Sequence, residues 1–203
     1  MRNPPLIIRL AALIFILGAP LGQAQSPSQF PRQHLQTGDI VLLGNDSAWG
    51  FVARRFADVD SRWSHVGMVI HDGEDASVVH MDGSPLGGRI RRESVSAFTS
   101  EARYVQVVRP AFDSRQRAWV GDWLVDHLKR DTAFDTRFHL DQDPAMYCSE
   151  LVWRALDHVA MTPGDDSLPR VAGRAYVPVD RLTTLGRTLG EREWMPSVVA
   201  GAR

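Results

Sequence analysis

The chain has 203 residues, 44% of them hydrophobic and 23% charged, with a formal net charge of −1. That length and apolar content suit one domain with a real core, and a near-neutral balance without an extended basic tract argues against nucleic acid as a partner. A single cysteine excludes an internal disulfide framework.

Residues 1–24 read as a cleavable signal peptide. Arg2 and Arg9 supply a positive n-region, Leu10 to Leu17 form an apolar stretch too short for a comfortable membrane span, and Gly22-Gln23-Ala24 offers small residues for cleavage after Ala24. This predicts a periplasmic or secreted protein, and loss of Arg2 and Arg9 with the leader takes the formal charge from −1 to −3. Residues 25–35 are polar and proline-marked, a flexible lead-in. The domain is expected over 36–190, with 191–203 as a C-terminal tail.

Within the domain, Ile40-Val41-Leu42-Leu43 is branched and apolar, as a buried strand is. Trp49, Val52, Ala53 and Phe56 recur at helical spacing. Three strand segments follow: Val66 to Ile70, Ser77 to Met81 and Tyr104 to Val108. The first two are separated by a segment carrying the Asp72-Gly73 turn signal and should pair antiparallel. A turn around 72–75 would set residue 65 opposite residue 80, both pointing to one face. Asp82 to Gly88 reads as a loop, and Arg89-Ile90-Arg91-Arg92 as a half-buried strand with wet arginines.

A helix is predicted over 114–129. A second, over 147–159, has Cys148, Leu151, Val152, Ala155, Leu156 and Val159 on one stripe. A last helix should begin at Asp180 and carry Leu182, Leu185 and Leu189. Strands in the middle with helices at both ends give an α+β domain.

The lone cysteine carries the chemical question. A thiol at a helix N-terminus feels backbone N–H groups and the positive end of the macrodipole, which favour a thiolate and can cradle an oxyanion. Cysteine is also among the most buried residue types, so position alone leaves a nucleophile and a packing residue both open. A nucleophile needs a base with an orienting partner, and His65 and His80, set on one sheet face by the hairpin, are the candidates. The histidines form no paired ligand motif, so no metal is expected.

Taken in order, Gly38-Asp39-Ile40-Val41, Ser64-His65-Val66-Gly67-Met68-Val69, Phe134-Asp135 to Phe138, Tyr147-Cys148-Ser149-Glu150-Leu151-Val152 and Tyr176-Val177-Pro178 to Leu182 resemble the permuted papain-like amidases, the YiiX/YaeF-like branch of the NlpC-type cysteine hydrolases. The resemblance implies a circularly permuted papain-like fold, a central antiparallel sheet packed with helices. It implies Cys148 as nucleophile and His65 as general base. The third polar member, often a glutamate in the family, falls at His80, a departure that related branches share; Asp82 is the nearest substitute carboxylate. Tyr147 is a candidate for shaping the oxyanion site or for packing. Asp39 is a candidate for reaching the site from the first strand, or for fixing the Gly38-Asp39 turn.

The resulting expectation is an exported cysteine hydrolase that cleaves an amide through an acyl-enzyme, with no cofactor, acting on a peptide or acyl-amide substrate and first of all on cell-wall peptides. A lipid-directed thiol acyl hydrolase or acyltransferase, with Trp49, Phe56 and Trp63 lining an acyl groove, and a noncatalytic binding module on the same fold are the alternatives. Oligomeric state is not legible.

Overall fold

The computed structural model describes residues 34–45, 53–73, 75–84, 86–140 and 144–193. The expected signal peptide, most of the lead-in, and Trp49 and Val52 of the expected first helix lie outside these residues; Ala53 to Arg55 are helical.

Strand β1, Ile40–Gly44, is apolar along its length and buried at every position. Such a strand belongs in the middle of a sheet covered on both faces. It lies between β2, His65–Asp72, and β5, Tyr104–Arg109, in a six-stranded sheet completed by β3, Asp75–Ser84, β4, Gly87–Ser94, and β8, Arg187–Glu193, in the order β4-β3-β2-β1-β5-β8. Every neighbouring pair is antiparallel.

Because side chains alternate across a strand, the sheet serves two cores. On one face Ile40, Leu42, Val66, Met68 and Met81 pack against α2, Ser114–Lys129, and α3, Cys148–His158, through Val120, Leu124, Leu151, Val152 and Leu156. On the other, Val41, Leu43, Val69, Val78, Val105 and Val107 pack against the single turn α1, Val95–Phe98, whose N-cap Ser94 accepts the Ala97 N–H. Helix α2 begins in a capping box, Asp113 and Gln116 each bonding the other's backbone N–H. Two short strands, β6 Arg170–Val171 and β7 Arg174–Ala175, form a separate hairpin.

The architecture is the expected α+β arrangement, and α2 and α3 fall where periodicity places them. Four local expectations are corrected. The 82–88 segment is a hairpin rather than a loop: β3 runs to Ser84 and β4 starts at Gly87. Gly83 pairs with Gly88, where a Cβ would stand 2.0 Å from the Asp82 carbonyl oxygen, so the glycines that suggested a loop permit close strand approach.

The β2–β3 register differs by two residues, with Gly67 rather than His65 opposite His80. An even shift keeps every side chain on its face. The helix expected from Asp180 is only a 3-10 segment, Asp180–Thr184, and the chain then enters β8, which puts Leu189 on a strand and carries the sheet to Glu193, into the expected tail. Such an edge strand is held by backbone pairing with β5 and leaves little apolar pattern to read.

Asp180 itself is buried, and its carboxylate accepts the backbone N–H groups of Asp58, Val59 and Asp60 at 2.6–3.1 Å. Three donors on one carboxylate satisfy a buried charge. They tie the segment after Phe56 to the C-terminal part of the domain.

Candidate active site

Cys148 is the first residue of α3, where its N–H and that of Ser149 have no partner within the helix. These two N–H groups and that of Val66 act on the thiol sulfur. The β2–β3 pairing stops at Gly67–His80, one residue short of Val66. The thiol therefore meets β2 where its pairing with β3 ends, at the residue that follows His65 in the chain. Burial outweighs the hydrogen bonds and pushes the Cys148 thiol up to about 11. The helix terminus alone predicts a thiolate; in the closed site desolvation wins.

His65 opens β2, and its Nε2 lies 3.0 Å from Nδ1 of His80. The two are diagonal rather than directly opposite, and Gly67 makes the diagonal contact fit. A Cβ on Gly67 would stand 2.5 Å from Val78 Cγ1, 2.8 Å from the Val79 carbonyl oxygen and 3.0 Å from His80 Cβ. The rings meet edge to face, and Phe98 of α1 covers both, its centroid 5.5 Å from His65 and 4.8 Å from His80.

Burial, reinforced by the neighbouring His80, lowers His65 to about 3. Burial likewise lowers His80 to about 4, with Arg91 acting in the same direction and Asp82 and the Met81 carbonyl opposing. Both imidazoles are neutral at pH 7.

Among the described residues, two cavities open at Cys148. The smaller, about 270 Å3, is lined by Cys148, His65, Ser64, Met81, Asp82 and Phe134 among others, so nucleophile and base candidates share it. The larger, about 400 Å3, runs from Cys148 past Tyr147 between Phe56, Phe138, Tyr176 and Val177, with Arg137 and Arg174 among its few charged groups. Tyr147 is 2% exposed, and its hydroxyl accepts the Val177 N–H at 2.8 Å, which fixes one wall of this cavity. Ser149 Oγ donates to the Val177 carbonyl at 2.7 Å on the same wall.

Asp39 lines neither cavity: it is fully buried, paired with Arg109 at 2.7 Å, and accepts the Gln36 N–H at 2.8 Å. Of the aromatic residues expected in an acyl groove, Phe56 lines the larger cavity, while Trp63 is 1% exposed in the core. Asp82 bonds Arg91 at 2.8 Å. Among the described residues, no three His, Cys, Asp or Glu side chains are gathered to hold a metal ion.

Sequence reasoning missed two carboxylates. Glu93, on β4, has Oε2 3.7 Å from His80 Nε2. Nothing local marks it among the polar residues of an edge strand. Glu150, in the first turn of α3, is 1% exposed; its carboxyl group receives the Tyr147 N–H, lies 3.5 Å from Arg154, and leaves Oε2 without a hydrogen-bond partner. The spacing of Tyr147 and Glu150, N-cap and third helical residue, was the available signal.

Burial raises Glu150 from an ordinary 4.5 to about 8. Its contribution to stability is thus fully present below the unfolded value and is lost as pH rises through 8. Glu150→Gln, neutral throughout, should gain about 4 kcal/mol over the wild type at pH 8 and nothing at pH 4, the linkage that this shift carries. Thermal melts across that range check this; an equal difference at both ends would show that ionisation of Glu150 plays no part.

Residues 34–169 match the model of the permuted papain-like amidase family, YaeF/YiiX, C92. Among solved structures, the fold is similar to that of the metalloprotein YiiX from Escherichia coli O157:H7, with a TM-score of 0.51 and 21% identity, covering 63% of this chain and 67% of that one. Comparison of the sequence with curated proteins gives no match.

Proposed function

The chain belongs to the permuted papain-like amidase family, and from that premise we propose that it is an exported cysteine hydrolase cleaving an amide through an acyl-enzyme on Cys148. The observation that carries the reading is the shared cavity: Cys148 at a helix N-terminus and His65 both line it, with His65 backed by His80 at 3.0 Å. The thiol sulfur attacks the substrate carbonyl while its proton passes to His65. The N–H groups of Cys148 and Ser149 receive the oxyanion. His65 returns the proton to the leaving amine, and water then releases the acyl group with the same base. The leader over residues 1–24 supports a periplasmic site of action, where wall peptides are the first amide candidates.

A second reading concerns the acyl group. The larger cavity at Cys148 is walled by Phe56, Phe138, Tyr176, Val177 and Pro178, a lining that favours an apolar acyl chain over a sugar-linked peptide. Amide and ester hydrolysis share the machinery, so a lipid-directed acyl hydrolase or acyltransferase fits the same residues.

Intact mass after mixing with chromogenic acyl esters of increasing chain length, and separately with muropeptides, tests both. An adduct on Cys148 that is absent in Cys148→Ala supports the acyl-enzyme. Preference for longer chains selects the lipid reading, and release of muropeptide fragments selects the wall. No adduct and no product with either class sinks the hydrolase.

A further inference from the structure

The orphan nitrogen of His80 leads to the carboxylate behind it. His80 is 5% exposed, and among the described residues its Nε2 is one of two buried side-chain polar atoms without a hydrogen-bond partner. A buried N–H left unmade is costly. Glu93 Oε2 stands 3.7 Å from that nitrogen, just outside hydrogen-bond range, on the strand paired with β3. The other charged groups near His80 are Asp82 and Arg91, which bond each other at 2.8 Å.

Tautomers follow from the contacts. His65 Nε2 faces His80 Nδ1, which leaves Nδ1 as the His65 nitrogen available to a thiol proton. To accept that proton Nδ1 must be bare, so the His65 hydrogen sits on Nε2 and is donated to His80 Nδ1. His80 Nδ1 must then be bare as well, and the His80 hydrogen sits on Nε2, aimed at Glu93. We infer that Glu93 is a positioning residue that fixes the tautomers of the two hydrogen-bonded imidazoles and so holds His65 ready as a base, with His80 as the intermediary. The role rests on the reading of Cys148 and His65 as the reacting pair. When the Cys148 proton moves to His65, the imidazolium donates through Nε2 to His80, and a small approach of Glu93 closes the third contact. No proton need leave His80.

Nitrogen-15 spectra of the imidazoles, together with the rate of Cys148 acylation by a chromogenic acyl ester, test this on Glu93→Ala and Glu93→Gln. In the wild type both rings should show the Nε2–H form. In Glu93→Ala the Nδ1–H form of His80 should appear and acylation should fall about 10-fold. Glu93→Gln, which still offers an acceptor oxygen, should restore both. In a His80→Ala background, Glu93→Ala should cost nothing further.

Unchanged His80 signals in Glu93→Ala, an Nδ1–H His80 in the wild type, or additive losses in the double variant would each overturn the role. The tautomer readout needs no turnover, so it separates this failure from failure of the hydrolase reading, which would appear as acylation indifferent to His65→Ala.

Discussion

Cys148→Ala is expected to abolish turnover of acyl amides and esters, and His65→Ala to lower kcat/KM by about 10²–10⁴-fold, the range for losing a general base. Removing either member of such a unit removes most of the acceleration, because attack and proton transfer are one event. The pH profile carries more information than the loss. Burial holds Cys148 up at about 11 and His65 down at about 3, so the resting site contains a neutral thiol and a neutral imidazole on one cavity. Alkylation of Cys148 by iodoacetamide without substrate should therefore be slow at pH 7 and climb beyond the ~8.5 of an ordinary thiol.

Turnover should instead persist well below pH 6, since His65 stays unprotonated there. Intact-mass labelling curves and a pH–rate profile check the two halves. Rapid labelling at pH 6 would mean a preformed thiolate–imidazolium pair, and undiminished turnover in Cys148→Ala would end the acyl-enzyme mechanism.

Gly67→Ala should damage the fold and the site together. The new Cβ would meet Val78 Cγ1 at 2.5 Å, the Val79 carbonyl oxygen at 2.8 Å and His80 Cβ at 3.0 Å. A flexible side chain can move away; a strand carbonyl in a paired ladder cannot do so without the strand. We expect a loss of about 1–3 kcal/mol, as for overpacking in a core. That corresponds to a Tm lower by roughly 2–12 °C for a domain of this size. Activity should fall further than stability explains, because the atoms displaced include the Cβ of His80, whose ring contacts His65. Melting and acylation rates measured together at a temperature where the variant is folded decide it. Full acylation in a folded Gly67→Ala protein would show that the His65–His80 contact is dispensable.

Much of this was legible in consecutive residues. The stripe on α3 put Cys148 at an inward-facing helix start, and the runs at Ile40 to Leu43 and Tyr104 to Val108 read as buried strands because they are. The Asp72-Gly73 signal located the first hairpin, with Asp72 opposite Asp75 in the structure. What failed locally failed for one reason. Asp82 to Gly88 and Arg187 to Glu193 are polar, edge-directed strands whose pairing depends on backbone contacts with distant partners, and their side chains announce nothing.

The sequence by itself determined which chemistry is at hand: one thiol, two histidines on one face of a hairpin, and the ordered motifs of a permuted papain-like amidase. Those features are local, written in periodicity and residue type. Only the tertiary structure decided the diagonal that brings His65 to His80 across Gly67, the nearness of Glu93, the diversion of Asp39 to Arg109, and the neutral resting state of the thiol and imidazole. Each of these depends on register between strands or on how much water a fold removes. Both are set by contacts among residues far apart in the chain.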